Sequence, residues 1–228
     1  MDGDWLSGPT GAALLKAERT LVGGLLFNLF GFHILQVGTY GAGALLNASR
    51  IAHRIILAAG EPAATGHDAI CTAGALPVRS RGLDVVLLPH ILEREQDPEA
   101  VLFEAERTLV GEGHLVIIGV NPWSLWGLNA LHDRSGRRLL SRSRVEYWLR
   151  RLDLEILLSQ CFYYQLPWRV ERGAGERDWL ERCGRRMWPA CGGLYVIVAR
   201  KRLVTLIPIP EPRRRERRLV SDGFARTT

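Results

Sequence analysis

The sequence predicts an α/β fold, a doubly wound and mostly parallel sheet with an antiparallel addition at one edge, and three observations predict it. Residues 83–88, LDVVLL, form a near-continuous apolar run of strand length, as a central parallel strand does when both its faces are covered. Strand-length and helix-length patterns alternate along the chain, which is the grammar of crossover connections. Two late extended segments, 154–164 and 192–200, lack a standard crossover between them and read as an antiparallel hairpin at the sheet edge.

Each element has its own warrant. Leu14, Leu15, Glu18, Leu21, Val22, Leu25, Leu26 and Leu29 recur at three- and four-residue steps, the spacing of an amphipathic helix, and Gly31 ends it. HILQV (33–37) follows as a buried strand, then a helix over 42–52, a second strand RIILA (54–58) and a weak third over 69–72. Asp97 caps the next helix, with Pro98 in its first turn and Glu99 near the positive end of its dipole. Ala100, Val101, Phe103 and Leu109 make its apolar side, and Gly111-Glu112-Gly113 turns it into the strand 114–120. Residues 143–152 read as helical. A Trp- and Arg-rich insert separates the last two strands.

Composition bounds the class. A chain of 228 residues, 47% hydrophobic and 24% charged, has the composition and length of one globular core. The net charge of +6 is uneven, because residues 211–228 hold six Arg against three acids and carry +3 of it. Cys71, Cys161, Cys183 and Cys191 lack CxxC spacing, which speaks against a zinc site or a disulfide framework and for thiols in a reducing cytoplasm. No metal site is expected. The start, MDGDWLSGPT, is acidic where a signal peptide would be basic. No charged residue stands between Arg19 and Arg50, but the run holds six Gly, and its most apolar part, 21–32, is shorter than the ~20 residues of a membrane span. It reads as a buried helix followed by a buried strand. The organisation expected is an N-terminal helical segment (1–32) packed on a domain (33–203), with a basic tail (204–228).

The succession ALPVRSRGLDVVLLPHILEREQDPEAVLFEAERTLVGEGHLVIIG resembles the second half of the class I S-adenosylmethionine-dependent methyltransferases, especially the small bacterial type 11 group. The match lies in Leu76-Pro77, Asp84 and its strand, Leu92-Glu93, Asp97-Pro98, Glu104 with Arg107, Leu109 and the GEG turn. From GFHILQVG through NPWSLWGL to LYVIVARKR the chain is similar to a bacterial subgroup of that family. The resemblance implies a Rossmann-like methyltransferase fold of seven strands with strand seven antiparallel, and methyl transfer from S-adenosylmethionine. It points to Gln36, Gly38, Tyr40, Thr72, Leu88 and His90 as cofactor-binding positions. The methyl acceptor, small molecule or protein, is not legible, and no catalytic residue is assigned.

The first motif is degenerate. In that family an acid stands two residues before the first glycine of a GxGxG turn; here Gln36 replaces the acid, Gly38 fits, and Tyr40 and Ala42 replace the other glycines, with Gly41 and Gly43 out of register by one. The acid expected after strand two is missing from Leu57-Ala58-Ala59-Gly60, with only Glu61 nearby, and Thr72 stands where an acid often meets the adenine. S-adenosylmethionine should therefore bind weakly or not at all. Tyr40 either fills the place of the cofactor or covers it, and the sequence leaves both open.

Single residues also have plainer readings. Gln36 could serve only to bond a neighbouring loop, Asp84 is structural, His90 is packed or caps a helix, and Glu104 with Arg107 forms an ion pair on one helix face. Asn121-Pro122-Trp123-Ser124 follows the fifth strand and lacks a second Pro, so it is a Pro-started helix whose Trp123 and Trp126 form a substrate roof or partner surface. Arg213, Arg214, Arg215, Arg217 and Arg218 are a solvated tail or a weak polyanion contact. Three readings follow: an enzyme, a non-catalytic methyltransferase-fold partner or pseudoenzyme, and a peripheral membrane or polyanion-binding module. The first is favoured.

Overall fold

The structure, a computed structural model, describes residues 9–60, 66–131, 138–164, 184, 186, 188 and 190–203. The basic tail, Glu61, and Trp168 and Trp179 of the insert lie outside the described residues. Helix α1 (Pro9–Phe27) precedes β1 (His33–Val37), a 3₁₀ segment (Tyr40–Leu46), β2 (His53–Ala59), β3 (Ala69–Cys71) and β4 (Leu83–Pro89). There follow α2 (Pro98–Thr108), β5 (Leu109–Val120), α3 (Leu125–Leu131), α4 (Arg142–Arg151), β6 (Leu154–Phe162) and β7 (Leu194–Lys201).

The seven strands pair in the order β3-β2-β1-β4-β5-β7-β6. β7 runs antiparallel to both β5 and β6, and the other pairings are parallel. Leu35 lies beside Ile55 and Val86, and Val86 beside Leu115, so the four central strands are neighbours as expected. Leu35, Val86 and Ile117 are fully buried.

The continuous apolar run of β4 feeds two cores because successive side chains point to opposite faces. Val86 and Leu88 join Val101, Leu102 and Ala105 of α2 and Trp148 and Leu149 of α4 on one face. Val85 and Leu87 join Leu14, Val22 and Leu26 of α1 on the other. Among the described residues no helix is long and apolar enough to cross a membrane.

Two local expectations are corrected. The helix predicted over 42–52 does not form, because Gly41 (φ 71°), Ala42 (φ 45°) and Gly43 (φ 79°) take successive left-handed conformations that no right-handed helix can carry. Close packing fixes that path: a Cβ on Gly41 would meet Leu15 Cδ1 at 2.7 Å, and one on Gly43 would meet Ile56 Cδ1 at 2.6 Å. The GEG segment is not a turn between helix and strand but part of β5, which starts directly after α2 at Leu109. The ladder absorbs the change as a register shift between Leu83 and Val85, with Glu112 at φ 64°.

Candidate functional site

Strand order reverses between β1 and β4, and the crevice at the carboxyl ends of two such strands is where open α/β sheets bind ligands. β1 delivers Gln36 and Gly38 to that crevice, and β4 delivers His90. Gly38 has φ 94° and donates its N–H to the Leu57 carbonyl at 2.7 Å. A Cβ built on it would meet Ile91 Cδ1 at 3.7 Å, an ordinary packing distance, so the positive φ rather than crowding is what favours glycine here.

Gln36 is fully buried, and its amide donates to the carbonyls of Gly38 (2.9 Å) and Tyr40 (2.8 Å). A carboxylate accepts only, so an acid here could not make these two bonds. Gln36 thus stitches the turn to its own strand, and its Oε1 is left buried without a partner.

His90 follows β4 in a left-handed conformation, φ 55°, with its N–H donating to the Ile118 carbonyl at 3.0 Å. Its Nε2 lies 2.7 Å from Oε1 of Glu18, which α1 brings in from the opposite layer, and its Nδ1 lies 3.6 Å from Oε1 of Glu93. All three side chains are buried to 1% exposure or less. The Tyr40 ring meets the imidazole edge-on, 5.0 Å between centroids. Burial alone would lower the His90 pKa, but the charge and hydrogen bond of Glu18, reinforced by Glu93, overcome this and raise it to about 10. Glu93 Oε1 accepts the Val120 N–H, whereas Glu18 Oε2 and Glu93 Oε2 have no hydrogen-bond partner.

Of the positions named from sequence, the fold brings Gln36, Gly38, Tyr40 and His90 together. Leu88 is enclosed in the core with α2 and α4, and Thr72 is exposed past β3, bridged to Ala75. At the end of β2 the half-buried Ala59 pairs with Cys71, with no acid on either strand there. Sequence reasoning missed Glu18 and Glu93 as members of the site. The signal for Glu18 was an acid on the apolar stripe of α1, where a carboxylate needs a buried partner.

The other named residues are structural. Asp84 Oδ2 accepts the N–H groups of Phe32 (2.8 Å) and His33 (2.9 Å), fixing the entry to β1. Glu104 takes two bonds from Arg107 and one from the Leu76 N–H. Asn121 donates to the carbonyls of Ala190 (2.7 Å) and Gly192 (2.9 Å), tying the end of β5 to the approach to β7, and accepts the Trp123 N–H. Its polar atoms are spent on the fold. Trp126 is buried against Tyr163, so it belongs to the core rather than to a roof, while Trp123 is exposed. Among the described residues no three His, Cys, Asp or Glu side chains gather as a metal site.

No family model matches the chain. The protein YafS of Escherichia coli (strain K12), itself uncharacterized, is 31% identical over 222 residues, covering 93% of this chain and 87% of that one. Among solved structures, a Thermotoga maritima methyltransferase described as a possible histamine N-methyltransferase superposes with TM-score 0.65 at 20% identity, over 85% of this chain and 91% of that one. A methyltransferase of Archaeoglobus fulgidus gives 0.59 at 19% identity, over 80% and 94%. The Streptomyces coelicolor geranyl diphosphate C-methyltransferase, solved with S-adenosyl-L-homocysteine, gives 0.57 at 14% identity, over 82% and 77%. At these identities the likeness to solved structures shows the fold, that of the class I methyltransferases.

Proposed function

The chain belongs to the family of YafS, and from its class I methyltransferase fold we propose that it is an S-adenosylmethionine-dependent methyltransferase acting at the crevice between β1 and β4. One observation carries the reading. The buried, partnerless acceptor oxygens of Glu18, Gln36 and Glu93 belong to side chains that gather with Gly38 at the place where this fold receives ligands.

The residues fit the two ends of the cofactor unequally. The methionine end carries an ammonium, a carboxylate and a sulfonium, and acceptor oxygens suit the ammonium and the sulfonium. Gly38 allows close backbone approach there. The ribose end lacks its carboxylate, because Ala59 stands where the acid would be. Losing one charge-assisted hydrogen bond costs roughly 1.5–3 kcal/mol, about one to two decades of affinity. When bound, S-adenosylmethionine supplies an electrophilic methyl group. The chain's own part is to hold and orient: Gln36 fixes the turn, and Glu18 and Glu93 keep His90 protonated. Proximity and orientation supply most of what such a transfer needs from a protein. The scattered thiols support a cytoplasmic setting.

A second reading, a non-catalytic partner that retains the scaffold, draws on the Gln36 amide spent in closing the turn and on Leu15 packed against Gly41. Calorimetric titration with S-adenosylmethionine separates the two. The enzyme reading expects weak binding by the wild type, tightened about tenfold by Ala59→Asp, which restores one charge-assisted bond, and also tightened by Tyr40→Gly, which opens the crevice. Absence of binding in the wild type and in both variants would overturn it in favour of the second reading.

A further inference from the structure

The outer face of α1 and the loop after it have no role in the crevice. Lys16, Arg19, Thr20, Phe27 and Asn28 are exposed along one side of the helix, opposite Leu14, Glu18, Val22 and Leu26. Lys16, Arg19 and Thr20 line one wall of a cleft of about 380 Å³, and Ala44, Leu45, Asn47 and Ala48 line the other. At the helix end and in the loop after it three phenylalanines stand in solvent: Phe27 is 55% exposed, Phe30 68% and Phe32 79%. Single exposed apolar side chains are ordinary, but three large rings within six residues form a patch that asks for an occupant.

The charges say which. Arg50 lies over the rings of both Phe27 (5.3 Å) and Phe30 (5.2 Å) and joins the cationic cleft to the aromatic end. No Asp or Glu occurs between Arg19 and Arg50, and the one acid of α1, Glu18, is turned inward to His90. The nearest carboxylate at the loop, Asp84, accepts two backbone N–H groups. Lys16 and Arg19 stand along the helix flank and the rings at its end, with Arg50 against the inner two rings and Phe32 outermost in sequence and exposure. A bilayer has the same layering, with anionic phosphates outside and hydrocarbon beneath, whereas a strand of bases calls for rings interleaved with cations.

We infer that this face is a docking surface for an anionic phospholipid bilayer, with Phe27, Phe30 and Phe32 entering the acyl boundary and Lys16, Arg19 and Arg50 meeting the headgroup phosphates. The patch lies at the amino end of β1 and the crevice at its carboxyl end. At about 3.3 Å per residue the five residues of β1 hold them roughly 15 Å apart.

Vesicle sedimentation of the full chain tests this. The wild type is expected to sediment with vesicles of equal parts phosphatidylglycerol and phosphatidylcholine and far less with phosphatidylcholine alone. Phe30→Ser/Phe32→Ser, and separately Lys16→Glu/Arg19→Glu, should each lower the partition on the order of tenfold or more with unchanged thermal melting, since these side chains are exposed. Replacing Arg213, Arg214, Arg215, Arg217 and Arg218 with Gln in the full chain should leave most of the binding. The inference is overturned if the wild type does not sediment, or if the Phe variant sediments as well as wild type, which would assign the binding to the basic tail. Binding of single-stranded RNA that the same variants abolish, without vesicle binding, would overturn it too.

Discussion

Two ion-pair networks brace this sheet from opposite sides, and they differ in how completely their polar atoms are satisfied. On the α2 side, both oxygens of Glu104 are engaged by Arg107, and one of them also takes the Leu76 N–H. Arg107 in turn donates to the Leu76 and Val78 carbonyls and to Ser80. On the α1 side, Glu18 and His90 make one 2.7 Å contact and leave Glu18 Oε2, His90 Nδ1 and Glu93 Oε2 without hydrogen-bond partners. A saturated network holds parts together. A buried unsaturated one stores a demand for partners, and it occurs here at the crevice where this fold takes ligands.

The sharpest way to break that comparison is to remove a partner from the unsaturated side. Glu18→Leu strands a buried imidazole and should lower stability by about 3–5 kcal/mol in urea unfolding. Adding His90→Asn, which tolerates the left-handed backbone, should recover at least ~1 kcal/mol of that loss. A double variant no more stable than the single would show that the pair is not coupled.

The two networks should also fail at opposite ends of the pH scale. His90 is raised from 6.5 to about 10, so its contribution is full below pH 6.5 and is lost as pH rises toward 10. Glu104 is lowered, chiefly by its hydrogen bonds from Arg107, so its contribution is present above its ordinary pKa and is lost in acid. Thermal melts of the wild type between pH 6.5 and 10 should fall with a slope of up to about 1.4 kcal/mol per pH unit. Glu18→Leu should flatten that limb. An unchanged limb in the variant would place the titration elsewhere.

A smaller effect is expected on the saturated side. Arg107→Met leaves the Val78 carbonyl and Glu104 short of a donor and should cost about 1–3 kcal/mol in the same unfolding assay. Its S-adenosylmethionine titration should match that of the wild type. Weakened binding in this variant would erase the distinction drawn between the two networks.

The smallest change is expected at the sheet edge, where hydrogen bonds from Arg202 and Arg200 hold the Glu155 carboxyl down at about 2. Contributions of this kind are present above the ordinary carboxylate pKa and fade as pH falls toward 2. Solvent screens such pairs, so Glu155→Gln should leave the unfolding midpoint at pH 7 unchanged and alter only the acid limb. A clear shift at pH 7 would show that the edge of β6 depends on it.

What the sequence determined by itself was whatever short-range chemistry can specify. Period and apolar runs located every strand, and Asp97 accepts the Ala100 N–H as the cap its place before Pro98 implied. Glu104 and Arg107, three apart on one helix, could hardly avoid each other. The degenerate first motif was legible as missing acids, but the use of Gln36 was not, because its bonds depend on where the turn carries the Tyr40 carbonyl. Only the tertiary structure decided the path of residues 40–46, where Leu15 and Ile56 pack against Gly41 and Gly43 and their left-handed backbone overrides the helix expected there. Only it joined Glu18 to His90, 72 residues apart, since the pairing of a carboxylate on one layer with an imidazole on the sheet follows from how α1 docks. That docking is set by the burial of Leu14, Val22 and Leu26 summed over a whole face, a quantity no local window of sequence contains.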